Sequence, residues 1–194
     1  QDVIDRYELA SIDMDIEGEL LADTAAVKRQ AAAIAAIQEA LPQSEELDVW
    51  LTLPVGPGGL TFEGAEAVRA YIAAGVQLAG VNAMTMNYNI GIADELTSTI
   101  IDSLNSTQAQ LRALYQEVDV NIGDATAWSR ISATPMIGQN DVREDVFTVD
   151  DAQALAEFAT DKGMSRMSMW SLNRDQACGA NWPDLRRVSD SCSG

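Results

Sequence analysis

Asp13, Asp15 and Glu17 are separated by single apolar residues in the run Ser11-Ile12-Asp13-Met14-Asp15-Ile16-Glu17-Gly18. Residues two apart in an extended strand share a face. The run therefore predicts three carboxylates on one side, with Ile12, Met14 and Ile16 on the other. Same-face neighbours along a strand lie about 7 Å apart, close enough for mutual repulsion to raise at least one carboxyl pKa. A carboxyl raised in this way can serve as a general acid near neutral pH. Two other readings of the same face are a divalent-cation site and the solvated side of an edge strand. The clean apolar row behind the carboxylates speaks against the edge strand.

What else could do chemistry is limited by composition. The 194 residues include no histidine, which excludes Ser-His-Asp and Cys-His catalysis and every histidine-based zinc site. Proton transfer falls to carboxylates, Tyr, Lys or Cys. With 30 Asp and Glu against 12 Lys and Arg, the formal charge is −18. That field repels phosphate backbones and speaks against a nucleic-acid partner. No apolar run approaches the roughly 20 residues a membrane helix needs. Only Lys28 and Lys162 are lysines. Abundant acid with scarce lysine fits a protein that stays soluble in strong salt, where self-repulsion is screened; it fits an ordinary acidic secreted protein equally. Cys178 and Cys192, an even pair in a short irregular tail, read as one disulfide, the alternative being two free thiols. Two cysteines cannot form an all-cysteine zinc site. Asn105-Ser106-Thr107 matches a glycosylation sequon but falls inside an expected helix.

Positioning the carboxylates requires a framework, and the hydropathy pattern supplies one: short apolar strands alternating with amphipathic helices. Strands are expected at about 10–17, 48–55, 79–88, 129–137 and 165–172. Helices are expected at about 22–41 (stopping before Pro42), 62–74 (ending near Gly75), 93–116 and 150–162 (ending at Gly163), with a short helical stretch near 183–189. A turn follows the second strand at Gly56-Pro57-Gly58-Gly59, and a polar loop, Gly138-Gln139-Asn140-Asp141, follows the fourth. Five successive βα units mean parallel strands with right-handed crossovers, either as an open doubly wound sheet or as part of a (β/α)8 barrel. The open sheet usually carries a glycine-rich phosphate loop after its first strand, and none is present. Polar residues inside the strands suit a barrel, whose inward side chains form the active-site mouth at the C-terminal strand ends. A complete barrel takes about 250 residues. The expectation is thus a single α/β domain over 1–194 that supplies the last five units, strands 4 to 8, of a TIM barrel.

The motif Asp13-Met14-Asp15-Ile16-Glu17 resembles the DxDxE signature of glycoside hydrolase family 18, found at the end of the fourth barrel strand. The resemblance extends over nearly the whole chain. Leu51-Thr52-Leu53-Pro54-Val55 is similar to the fifth strand of a bacterial chitinase subgroup, and Val81-Asn82-Ala83-Met84-Thr85-Met86-Asn87-Tyr88 to its sixth. Thr134-Pro135-Met136-Ile137-Gly138 is similar to its seventh, and Met169-Trp170-Ser171-Leu172-Asn173-Arg174-Asp175 to its eighth. The closing Cys178…Cys192-Ser193-Gly194 fits as well.

This resemblance implies a chitinase: retaining hydrolysis of β-1,4 bonds between N-acetylglucosamine units, with no cofactor and no metal. Glu17 would protonate the glycosidic oxygen, Asp15 would orient the substrate acetamido group, and Asp13 would hold and tune Asp15. The family departs from the two-carboxylate scheme because the substrate's own N-acetyl oxygen attacks the anomeric carbon. Trp170 would floor the subsite of the distorted sugar, with Met84, Met86, Asn87 and Tyr88 as further substrate contacts. The partner would be chitin or its oligosaccharides, and the location extracellular. An endo-β-N-acetylglucosaminidase acting on N-glycans, or a barrel that binds sugar without cutting it, would share part of the pattern. Two departures stand out. Ala10 replaces the signature's first Asp, and Met84-Thr85-Met86-Asn87 replaces M-x-Y-D, as plant class III chitinases also carry Asn there. By strand alternation Met84, Met86 and Tyr88 share a face, so Tyr88 would supply the missing hydroxyl, with Asn87 on the other face unless a bulge intervenes.

Overall fold

The computed structural model describes residues 1–42, 46–89, 95–180 and 187–193. Five parallel strands form the main sheet in chain order: β1 (Ser11–Asp15), β2 (Asp48–Gly56), β4 (Leu78–Met84), β5 (Ile131–Ala133) and β8 (Arg166–Met167). A two-residue strand, β3 (Gly59–Leu60), folds back antiparallel on the end of β2. A separate hairpin pairs β6 (Gly138–Gln139) with β7 (Val146–Phe147). The helices are α1 (Asp2–Tyr7), α2 (Gly18–Ala22), α3 (Thr24–Ala40), α4 (Phe62–Ala73), α5 (Leu96–Gln116), α6 (Asp124–Ser129) and α7 (Val149–Lys162), with a 3-10 turn at Leu172–Arg174.

Spatial order equals chain order, so there is no reversal of the kind that defines a doubly wound sheet. The sheet also curls. Laid flat, five strands would hold β1 and β8 about 19 Å apart at roughly 4.8 Å per step. Instead Arg166 of β8 forms an ion pair with Asp13 of β1, across the concave side. The result is a curled half-barrel of parallel strands with helices outside.

Period-two alternation separates the two faces. Val49, Leu51, Leu53 and Val55 of β2 join the buried core with Val81 and Ala83 of β4 and Ile131 and Ala133 of β5. The helices cover that side through Val27 and Ile34 of α3, Val68 and Tyr71 of α4, Ile100 and Leu104 of α5, and Leu155 of α7. The opposite, concave face carries Trp50, Thr52, Asn82, Thr134 and Arg166. Gly80 is required there: a Cβ would lie 2.5 Å from the Trp50 ring and collide with the Arg130 carbonyl.

Helix ends follow their sequence signals. Asp23 caps α3 by accepting from the Ala26 amide, and Thr61 caps α4 through the Gly64 amide. Thr148 and Asp151 form a reciprocal capping box on α7.

Some expected boundaries change. The strand expected at 79–88 ends at Met84, because Asn87 and Asn89 adopt left-handed conformations with φ of 59° and 57°. The strands expected at 129–137 and 165–172 shorten to three and two residues. Beyond them the chains stay side by side through the Met136–Trp170 bridge. The loop expected at 138–141 opens with β6. The start of the helix expected at 93 and most of the stretch near 183–189 lie outside the described residues, while 187–189 are not helical. Helices α1, α2 and α6 have five or six residues, too short to show periodicity.

Candidate active site

The acidic face forms as the spacing predicts. Ile12 and Met14 pack against the core and Ile16 is fully buried, while Asp13 and Asp15 project from the other side of β1. Glu17 stands just beyond the strand as the N-cap of α2. Its extended backbone, with φ −142° and ψ 175°, carries the alternation one residue further. The Ile16 amide donates to the Thr52 carbonyl at 3.0 Å, which ties this end to β2.

The three carboxylates have different surroundings. Asp13 lies deepest. Its Oδ1 accepts from the Thr52 hydroxyl at 2.5 Å, and its Oδ2 is paired with Arg166. Thr52 in turn accepts from Asn82 Nδ2 at 2.9 Å, and Asn82 Oδ1 accepts from the Thr134 hydroxyl at 2.9 Å. A directed chain of donors thus runs from β5 through β4 and β2 to Asp13. Asp15 has its pKa pushed up, mainly by burial and further by the Asp13 charge. The repulsion read from the spacing therefore acts on the middle carboxylate.

Above these groups is a cleft of about 440 Å³, lined by Asp15 and Glu17 on one side and Met84, Met86, Asn87, Asp141 and Trp170 on the others. Its floor and walls are completed by the strand side chains of Thr52, Pro54, Thr134 and Met136. Trp170 is 52% exposed and presents its ring to the opening. Its backbone is held on both sides: its amide donates to the Pro135 carbonyl at 2.8 Å, and its carbonyl accepts from Ile137 at 2.9 Å. A larger hollow of about 720 Å³ lies at the opposite end, around Asp48 and Leu78, the first residues of β2 and β4. In a sheet of this kind functional groups gather at the C-terminal strand ends, where the smaller cleft sits.

The rim corrects one expectation. Asn87 lines the cleft and Tyr88 does not. Because Asn87 takes a left-handed conformation, alternation fails after Met86, and Tyr88 turns inward to pack against the core. Burial raises its phenol pKa, with Asp145 nearby adding to the effect. Tyr88 therefore does not supply the hydroxyl that Met86 lacks.

Asn87 does more than line the cleft. Its Nδ2 donates to Asp141 Oδ2 at 2.9 Å, its Oδ1 accepts from the Asp141 amide at 2.9 Å and the Val142 amide at 3.3 Å, and its own amide donates to Asn140 Oδ1 at 3.1 Å. Asp141 is the site residue that sequence reasoning missed. A signal was available, since a carboxylate just past the C-terminal end of a barrel strand is placed at the mouth.

The loop that carries Asp141 is fixed from behind. Buried Asn140 donates to the Met136 and Gly138 carbonyls at 2.9 and 3.1 Å. The Cys178–Cys192 disulfide is formed, and next to it the Ser193 carbonyl accepts from the Gln139 amide at 2.7 Å. Gly138 packs so closely on Ser193 that any Cβ would collide. Fully buried Arg174 donates to the Ile137 and Gln139 carbonyls and to that of Ser189. Among the described residues no group of three His, Cys, Asp or Glu side chains is arranged to hold a metal ion.

No family model matches the chain. Two curated proteins are similar to it. “Probable bifunctional chitinase/lysozyme” of Escherichia coli (strain K12) is 32% identical over 189 residues, covering 93% of this chain and 21% of that protein. Endochitinase 11 of Metarhizium anisopliae is 32% identical over 183 residues, covering 90% of this chain and 34% of that protein. Among solved structures, the catalytic domain of the hyperthermophilic chitinase from Pyrococcus furiosus superposes with a TM-score of 0.83 at 30% identity. The match takes in all of this chain and 58% of that one. Catalytic-site mutants of active domain 2 of the thermostable chitinase from the same organism, complexed with chito-oligosaccharides, give 0.81 at 29% identity. The chain spans about a fifth to a third of the curated relatives' length.

Proposed function

Because this chain is homologous to chitinase catalytic domains of the family 18 type, we propose that it takes part in hydrolysing β-1,4 bonds between N-acetylglucosamine units, with retention of configuration. The observation that carries this reading is the cleft itself. Glu17 and Asp15 stand side by side at a strand end, facing an exposed indole and an amide–carboxylate pair. An indole face stacks on the C–H face of a sugar ring, and the polar groups around it orient hydroxyl and acetamido substituents.

In this mechanism Glu17 donates its proton to the glycosidic oxygen as the bond to the anomeric carbon breaks. The substrate's acetamido oxygen forms the new bond to that carbon, giving an oxazolinium ion, and the leaving sugar departs as a neutral alcohol. Glu17, now a carboxylate, takes a proton from the water that opens the ring. Asp15 orients the acetamido group and offsets its developing positive charge, with the Asp13 charge tuning its proton affinity. No second nucleophilic carboxylate is needed. Trp170, Met84, Met86 and Asn87 contact the sugar, and Asp141 joins them. An extracellular location is part of the proposal, supported by the disulfide.

The test is product analysis on chito-oligosaccharides. Cleavage should require an acetyl group on the sugar at the −1 position, and a thiazoline analogue of the oxazolinium should inhibit. Efficient cleavage of cellulose oligomers, which carry a 2-hydroxyl instead, would contradict substrate assistance.

A further inference from the structure

We propose that Arg166 is a positioning residue of this site: braced on the Trp50 ring, its guanidinium holds the Asp13 carboxylate against the inner wall and offsets its charge, leaving Asp15 free to face the cleft. The inference deepens the hydrolase reading and rests on it for its link to activity.

The geometry has three parts. Arg166 lies on β8 and Asp13 on β1, the two edges of the described sheet, and they are joined as an ion pair. The guanidinium carbon sits 4.3 Å from the centroid of the Trp50 ring on β2, within cation–π distance. The ring has its place because residue 80 is glycine. The other Asp13 oxygen takes the Thr52 hydroxyl, at the end of the donor chain from Thr134 and Asn82. Both oxygens of Asp13 are thus engaged from the wall side.

Among the described residues the charged groups around Asp13 are few. On its own strand Asp15 shares its face, with Glu17 one step beyond. β8 contributes Arg166. β2 and β4 contribute the neutral side chains of Thr52 and Asn82, and the residue just past β5 that of Thr134. Arg166 is thus the positive charge that balances Asp13, and what it does to Asp13 is felt at Asp15, whose proton affinity already responds to the Asp13 charge.

The test compares Arg166→Met, which keeps an apolar stem over Trp50, and Arg166→Gln with Arg166→Lys. Two readouts are used on the full chain: the Asp15 carboxyl titration by carbon-13 NMR, and the pH profile of kcat/KM on chito-oligosaccharides. Removing the positive charge leaves Asp13 uncompensated. The Asp15 midpoint should then move up by about half a pH unit or more, and the acid limb of the profile should follow it. Arg166→Lys should restore both toward wild type. A purely structural role would lower activity at every pH without moving the midpoint. An unchanged Asp15 midpoint in folded Arg166→Met overturns the proposal. Activity on chito-oligosaccharides tests the hydrolase reading separately, and the NMR titration decides whether Arg166 acts on Asp15 through Asp13 whether or not this five-unit chain cuts them.

Discussion

The two sides of the cleft are built differently. The inner wall carries Asp13, Asp15, Thr52, Asn82 and Thr134 on or directly beside strands of one sheet, where the backbone ladder sets each direction. The rim carries Asn87 and Asp141 on loops, where side-chain bonds, left-handed backbone and a disulfide-closed tail do the same work. Positions on the wall are dictated by a period of two; positions on the rim depend on contacts made across 50 residues or more of sequence. A wall residue can therefore be altered with the geometry kept, whereas a rim residue and its geometry fail together. The following experiments separate the two cases.

The largest effect is expected on the wall. Glu17→Gln removes the acidic proton and little else, because among the described residues its side chain makes no capping bond to α2. Turnover should fall by at least ~10²–10⁴-fold with an unchanged melting temperature. Near-normal turnover by the folded variant would remove Glu17 from the mechanism.

Next comes the rim's outer support. The Cys178–Cys192 bridge closes a segment with a sequence separation of 14, and its loss should cost about 3 kcal/mol of stability on a chain-entropy basis. Ser193, next to Cys192, holds the Gln139 amide two residues before Asp141, so mild reduction should also weaken substrate binding. Chemical denaturation and KM, measured with and without reductant, check both. A stability loss with unchanged KM would uncouple the tail from the cleft.

Asn87→Ala is a smaller break in the same region. It removes the bonds to Asp141 and Val142 and places alanine at a positive φ. A loss of about 1–3 kcal/mol is expected, together with raised KM. Asn87→Gly, which tolerates the backbone, should recover part of the stability and none of the KM. If glycine restores both, the amide has no role in holding Asp141.

The same contrast explains what could be read in advance. Ile12, Met14 and Ile16 against Asp13, Asp15 and Glu17 is a pattern that local geometry alone sorts into two faces. The five strands and their order followed from repeated βα alternation, and the site's floor followed from them. The resemblance to DxDxE and the downstream strand motifs pointed to the same side of the sheet. Tyr88 and Asn87 exchanged places because the left-handed turn at Asn87 leaves no mark in hydropathy. Asp141 and Arg166 went unread for a related reason: each matters through a partner far away in the chain. Arg166 in particular resembles an ordinary strand-end cation until the sheet curls and brings Asp13 to it.

The finest distinction concerns Asp15, where the wall's rigidity works against stability. Burial and the Asp13 charge raise its pKa above the ordinary value of 3.8. The folded state therefore holds this proton more tightly than the unfolded state does. Linkage fixes the sign: the stabilising contribution of Asp15 is fully present below 3.8 and is lost as pH rises through the raised folded value. At neutral pH the ionised Asp15 is a cost, tolerated because the chemistry uses it. Asp15→Asn should therefore melt slightly higher than wild type at pH 7 and equal to it near pH 3, while losing activity. Melting curves across that range read the difference directly. An Asn variant that melts lower than wild type at pH 7 would mean that the ionised Asp15 is stabilised by a partner in the folded chain, and that the repulsion from Asp13 is not felt there.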